Sequence, residues 1–185
     1  MPPAPAEASS NPLVKIADAV DRVIALSCEF MLLLTGVVLM SVLTANVTAR
    51  YILSTGGFDW AEEVPEQLFP WFIAAGVALA VQKGGHIGVE WLLGRLNRNA
   101  TRVLLLAGHV LVFAAYLLLT ALSMDVAQIV AVERSPVLGL PKTYGYWAIA
   151  VACFLVAIST LAMTVRLALI GPEAMPSPSP EEMPT

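Results

Sequence analysis

The chain has 185 residues, of which 58% are hydrophobic and 13% are charged, and its formal net charge is −4. Soluble domains hold ~45–50% apolar and ~25% charged residues, so this composition excludes an ordinary soluble domain and indicates an integral membrane protein. The negative charge gives no support to a nucleic-acid partner, because four glutamates near the two ends supply all of it: Glu7, Glu173, Glu181 and Glu182.

Four apolar segments predict an all-α membrane protein with four transmembrane helices. A helix needs ~20 apolar residues to cross a ~30 Å hydrocarbon layer. The predicted spans are about 23–50, 65–82, 103–132 and 143–167. They lie in a four-helix membrane domain at residues 13–170, and the Pro- and Ser-rich segments 1–12 and 171–185 are predicted to be disordered tails.

Two charged segments next to the spans predict short interfacial helices. In LVKIADAVDRVI, residues 13–24, the apolar Leu13, Ile16 and Val20 share one helical face and the charged residues fall elsewhere. Residues 87–102, IGVEWLLGRLNRNATR, repeat this pattern with arginines on the polar face. Basic amphipathic helices lie among lipid headgroups, so both segments are expected to contact the bilayer surface.

The second span begins with a row of acids, WAEEVPEQLFPW at residues 60–71. Asp59 is expected to cap the helix, and carboxylates in a first turn, here Glu62 and Glu63, are favoured by ~0.3–1 kcal/mol each. Pro65 suits a helix start, so a short surface helix followed by the true span from Pro65 is expected, with a kink at Pro70. Two interpretations stay open for the acids, namely capping alone and capping combined with a protein interface.

Basic residues predict that both termini are cytoplasmic. Cytoplasmic loops carry an excess of Lys and Arg. Seven basic residues lie on the side of the termini and the second loop: Lys15, Arg22, Lys83, Arg95, Arg98, Arg102 and Arg166. Three lie in the first and third loops: Arg50, Arg134 and Lys142. The row of acids would therefore form the outer mouth of the second helix.

Neither an enzyme nor a cofactor protein is expected. Cys28 and Cys153 fall at depths that differ by ~12 Å, too far apart for a disulfide. His86 and His109 would need an awkward approach to bind haem together. No nucleotide or zinc motif appears. Glu29, an intramembrane carboxylate, is a functional candidate by position, although pairing with a neighbour or reaching the interface is the favoured reading.

The third predicted span extends to Val132, which gives a helix of ~45 Å that must tilt or protrude. It is followed by ERSPVLGLPKTYGYW, residues 133–147, whose Pro and Gly residues predict a fixed turn at 135–141. Tyr and Trp residues at 144–147 mark the outer aromatic belt. Small residues are expected to let other helices of a partner approach closely: Gly36, Ala74, Ala75, Gly76 and Ala78.

The order of several motifs resembles the small permease subunit of tripartite ATP-independent periplasmic (TRAP) transporters over roughly residues 20–167. These motifs are Arg50-Tyr51, Trp60-Ala61-Glu62-Glu63, Trp71 with Gly76, His86-Ile87 with Val89, and Ser135-Pro136 through Pro141 with Tyr146. The resemblance implies an inner-membrane scaffold for a large permease subunit, which takes an organic acid from a periplasmic binding protein and moves it with sodium. Sodium and substrate sites would belong to the large subunit.

The residues expected at the subunit interface come from these motifs. They are Trp60, Glu62, Glu63, Trp71, Gly76, His86, Ser135, Pro136, Gly139, Pro141 and Tyr146. Two alternatives remain. One is a self-sufficient proton-coupled exporter that uses Glu29, and the other is a haem-bearing membrane anchor of an oxidoreductase.

Overall fold

The structure is a computed structural model that describes residues 11–53, 56–82 and 97–171. It contains α1 (Pro12–Leu53), α2 (Trp60–Gln82), α3 (Arg98–Ile129), a 3₁₀ turn (Val130–Val132) and α4 (Thr143–Leu169). All four α-helices in these ranges are long and apolar enough to cross a membrane. The predicted all-α fold with four spans is therefore confirmed.

Helix α1 is a single element of 42 residues, about 63 Å long. The predicted interfacial helix at residues 13–24 is therefore wrong as a separate element, because no Gly or Pro lies between Pro12 and Gly36. The predicted apolar face is also divided. Leu13 and Ile16 are exposed, whereas Val14 and Ala17 lie against the bundle.

Helix α2 is continuous through both of its prolines. A short surface helix ahead of Pro65 was expected, and instead one helix begins at Trp60. Each proline removes a single backbone donor, so only the bonds to the carbonyls of Ala61 and Glu66 are lost. Asp59 directly precedes the helix, and the first amides of the helix donate to the backbone oxygens of Phe58 and Asp59.

Helix α4 is the centre of the bundle and packs on all three other helices. Half of its most apolar segment is buried, against 6% for α3. Small residues line its buried faces and allow this close packing: Ala148, Ala150, Ala152, Cys153, Ala157, Ser159 and Ala162. Helices α1 and α2 also pack on each other, whereas α3 packs chiefly on α4.

The core uses the small residues of α2 that were expected to face a partner. Ala75 and Ala78 pack with Ile24, Cys28 and Val156 in a core cluster formed by α1, α2 and α4. A second cluster joins Ala74 to Ala148 and Ala152, with Trp71 packed against it. On α1, a Cβ added at Gly36 would meet the Phe72 ring at 3.3 Å. These positions serve packing within the chain, which corrects the expectation for the alanines and for Gly36.

Helix α3 begins at Arg98, earlier than the predicted start at 103, because Asn97 caps it. The Asn97 side chain accepts a hydrogen bond of 2.8 Å from the backbone N–H of Ala100. The remainder of the second predicted interfacial helix, residues 87–96, lies outside the described residues, as do 1–10 and 172–185 of the predicted tails. With 32 residues, α3 is about 48 Å long and exceeds a hydrocarbon layer.

Candidate functional site

The end of the bundle that carries the two described connections, residues 56–59 and 133–142, is called the loop end here. Its central contact is made by Glu63 of α2. One carboxylate oxygen accepts the backbone N–H of Val137 at 2.8 Å, and the other accepts that of Leu138 at 2.7 Å. Glu63 is buried. Helix α2 therefore holds the connection between α3 and α4 through a side chain 75 residues away in the chain.

The connection at 134–141 is itself compact, as predicted for residues 135–141. Arg134 and Pro141 form an antiparallel bridge, and the N–H of Ser135 donates to the Leu140 carbonyl at 2.9 Å. The buried Ser135 hydroxyl accepts the N–H of Leu140. Gly139 has a φ of +64°, a left-handed conformation that side chains disfavour. These contacts turn two successive N–H groups, at positions 137 and 138, toward Glu63.

The contacts of Glu63 change the interpretation of the acid row. Both oxygens of its carboxylate are used by the connection at 134–141, and hydrogen bonds to an ionised acceptor are about twice as strong as neutral ones. Simple capping of α2 therefore does not describe Glu63. Residue types could not indicate this role, because the donors are backbone groups that any residue other than proline would supply.

Glu62 has a different environment. Its carboxylate pairs with Arg50 near the end of α1 at 2.6 Å, and both side chains are at least half exposed. Exposed pairs contribute only about 0.2–1 kcal/mol. Nearby, the buried Asn46 accepts the backbone N–H of Phe58 at 2.8 Å. A Cβ at Gly57 would lie 2.7 Å from Asn46 Oδ1, so the turn between α1 and α2 requires glycine there.

Several predicted interface residues share the loop end. Glu63 binds the connection at 134–141, within which the Gly139 N–H donates to the Ser135 carbonyl and Pro141 forms the bridge with Arg134. Trp60 stacks on Phe58 with ring centroids 5.7 Å apart. Pro136 is exposed, and Tyr146 lines a cleft of about 430 Å³ between α2 and α4.

Three predicted interface residues lie elsewhere. Trp71 packs inside the bundle, and Gly76 lies near Leu32 of α1, which an added Cβ would approach to 3.9 Å. His86 falls outside the described residues. The residue set predicted from the motifs is therefore divided between the loop end and helix packing within the chain.

A second polar group lies at the opposite end of the bundle, called the terminal end here. Arg166 of α4 contacts Asp21 of α1 at 2.6 Å and Asp18 at 2.9 Å. The Gln82 amide, at the end of α2, donates to the backbone oxygen of Asp21 at 3.2 Å and to Ser159 Oγ at 3.0 Å. The contact therefore joins two charged residues of the segment 13–24 to α4.

The terminal end also fixes α3. Arg102 donates to the backbone oxygen of Ala168 in the last turn of α4. A cation at this position is also favoured by the helix dipole, which is negative at a C-terminus. The sequence predicted these basic residues only as markers of orientation.

The residues considered for chemistry are dispersed. Within residues 11–53, 56–82 and 97–171, no group of three or more His, Cys, Asp or Glu is arranged to hold a metal ion. His109 Nδ1 lies 2.8 Å from the carbonyl of Leu105 in its own helix. Cys28 and Cys153 are both free and buried, and Glu29 is exposed on α1.

Comparison with known proteins gives two matches. Residues 39–169 match the family described as "Tripartite ATP-independent periplasmic transporters, DctQ component". The chain is also 39% identical over 167 residues to "Uncharacterized protein y4mM" of Sinorhizobium fredii (strain NBRC 101917 / NGR234). This match covers 89% of the chain but 31% of y4mM, so the chain spans about a third of that relative's length.

Proposed function

The chain belongs to the DctQ family of TRAP transporter components, and from this we propose that it is the small membrane subunit that braces a large permease subunit. The substrate would be an organic acid, delivered by a periplasmic binding protein and imported with sodium. The sodium and substrate sites are assigned to the large subunit. No cofactor is proposed for this chain.

The observation that carries the proposal is the apolar surface of α3. The helix packs chiefly on α4, and large apolar side chains along its length are exposed: Val103, Val110, Leu111, Leu118 and Ile129. Helix association in membranes depends on packing rather than on the hydrophobic effect, so such a face suits both lipid and a helical partner. The membership in a multi-component transporter family favours a partner over part of this surface.

The four helices also support an accessory role. Substrate sites of secondary transporters are built near the bilayer midplane from discontinuous helices with exposed backbone groups. Each of the four described helices is continuous. We therefore place the transport pathway in the partner and the bracing role in this chain.

The test is co-expression with a tagged large permease and its binding protein. We expect the two membrane subunits to co-purify from detergent, and uptake of the solute to require both. Vesicles that contain either subunit alone should take up no more solute than empty vesicles. Full uptake by the large permease in the absence of this chain would contradict the bracing role.

The alternative functions receive less support. Glu29 lies on the exposed surface of α1 rather than inside the bundle, which disfavours a proton path formed by this chain alone. If the purified chain alone transports a solute and Glu29→Gln abolishes that transport, the exporter hypothesis would be supported. The haem-bearing anchor would need His86, which lies outside the described residues, and His109, whose Nδ1 contact with its own helix leaves Nε2 as the ligand atom. A Soret band in purified protein would support the anchor.

We also propose that both termini are cytoplasmic, which places the loop end in the periplasm. In a background of Cys28→Ala and Cys153→Ala, an Asp59→Cys variant should react with an impermeant thiol reagent added to intact spheroplasts. An Asn99→Cys variant, also exposed but at the opposite end, should react only after the membrane is opened. The reverse pattern would invert the orientation.

A further inference from the structure

A cleft of about 430 Å³ at the loop end opens to the surface of the chain. It lies where α2, the end of α3 and the start of α4 meet. Its lining includes Pro70 and the polar residues Glu66, Gln67, Glu133, Lys142 and Tyr146. A volume of this size accommodates a large side chain.

Gln67 supplies the first indication of what the cleft binds. It is 9% exposed, and its side-chain oxygen, Oε1, is buried with no hydrogen-bond donor among the described residues. Buried polar atoms are nearly always paired, because an unpaired one loses the hydrogen bonds that it made to water. Gln67 lines the cleft, and the group complementary to its unpaired oxygen is an N–H or O–H donor.

The charges of the lining point to a cationic donor. Glu66 and Glu133 lie 3.9 Å and 3.7 Å from the Lys142 ammonium, at the limit of an ion pair, and all three side chains are partly exposed. Two carboxylates and one ammonium leave a net charge of −1. The lining thus combines an amide oxygen that has no hydrogen-bond donor among the described residues with two carboxylates that form only long ion pairs with one lysine.

The surroundings favour a protein partner over a free solute. Val132 is 86% exposed and Ile129 is 73% exposed at the end of α3, next to Val130 and Glu133 of the cleft. Within a membrane such apolar groups suit either lipid or a helical partner. Membership in a multi-component transporter family favours a subunit that covers them and inserts one side chain into the cleft.

We propose that this cleft receives an arginine side chain of the large permease subunit. The proposal rests on the proposed function, since it assumes that such a subunit docks on this chain. A guanidinium offers five N–H donors in a planar fork, so it meets the Gln67 oxygen and a carboxylate at the same time. It would supply the donor that Gln67 lacks and neutralise the cleft.

The test measures the dissociation constant of the two purified subunits in detergent. Gln67→Leu replaces the amide by an apolar side chain of similar size and so removes the acceptor. Glu133→Gln removes an exposed charge outside the core. Gln67→Leu is expected to weaken binding at least about tenfold, because it removes a hydrogen bond to a charged donor. Glu133→Gln should weaken binding by about two- to fivefold, because an exposed charge contributes less. Asp18→Asn, a substitution of a mostly exposed acid at the terminal end, should change binding less than about twofold.

The partner side of the contact is tested by alanine substitution of each arginine in the large subunit. One substitution should weaken binding as Glu133→Gln does, and combining the two should add little further loss. If the wild-type subunits bind and both cleft variants bind equally well, the cleft inference is wrong while the proposed function stands. If the wild-type subunits do not associate, both fail.

A free cationic solute is the competing occupant. Arginine methyl ester would then raise the thermal midpoint of the isolated wild-type chain but not that of Gln67→Leu, with subunit binding unchanged in both. That result would overturn the assignment to a partner side chain. Circular dichroism melts of each variant check that weaker binding does not come from loss of the fold.

Discussion

Replacing Arg166 with methionine is expected to cause the largest loss of stability of any single substitution considered for this chain. The Arg166 side chain is 18% exposed and contacts Asp18 and Asp21. Its removal leaves the mostly buried Asp21 carboxylate without a counter-charge, and stranding one partner of such a pair costs roughly 3 kcal/mol. Unfolding in detergent, followed by circular dichroism against denaturant, measures the loss.

The controls separate charge from packing. Asp18 is mostly exposed, so Asp18→Asn should change stability by less than about 1 kcal/mol. A double variant, Asp21→Leu with Arg166→Leu, should recover much of the loss, because an apolar pair in place of a buried ion pair is often neutral. If Arg166→Met unfolds like the wild type, the contact at the terminal end does not stabilise the bundle.

Replacing Glu63 with glutamine is expected to release the connection at 134–141. Glutamine keeps one acceptor oxygen but turns an NH₂ group toward the second backbone N–H, so the contact with Val137 or Leu138 is lost. Arg134 is exposed in this connection and offers a trypsin site. We expect cleavage after Arg134 to become about tenfold faster, because proteolysis follows the population of the opened segment.

The functional consequence follows if the loop end docks the large subunit. Glu63→Gln should then lower both co-purification and uptake, while the variant still inserts into the membrane. Glu62→Gln is the matched control, because its exposed pair with Arg50 lies beside Glu63 but does not hold the connection. Equal cleavage rates and equal uptake for the two variants would show that the acid row has no special role.

The four spans were predictable because the bilayer constrains sequence strongly. Lipid excludes unpaired charge over ~20 residues, so composition alone located the helices. Their ends were harder to predict. Nothing in the residues between 13 and 24 distinguishes an interfacial helix from the extension of α1, because the same amphipathic pattern serves both. The helix start expected at Pro65 was also wrong, because a helix tolerates one missing backbone donor when the neighbouring hydrogen bonds are kept.

The polar contacts at the two ends were not predictable from the sequence. Glu63 binds backbone N–H groups, which every non-proline residue carries, so its partner leaves no mark on residue type. Arg166 and Asp21 are separated by 145 positions, and only the packing of α1 on α4 brings them together. Their opposite charges near the predicted inner ends of two spans were the one available indication. The unpaired oxygen of Gln67 was also not predictable from the sequence, because it is identified only from the packing of the residues around it.

The central place of α4 has a consequence for biosynthesis. Of the four described helices it is the last to be translated, and it supplies most of the contacts that α3 makes. Chains are made N-terminus first at roughly 5–20 residues per second, so α3 waits in the bilayer for several seconds before its neighbour emerges. Nascent chains arrested before residue 143 lack α4, so α3 cannot complete its packing. Such chains should therefore be short-lived, and membrane insertases and proteases should determine how long they survive.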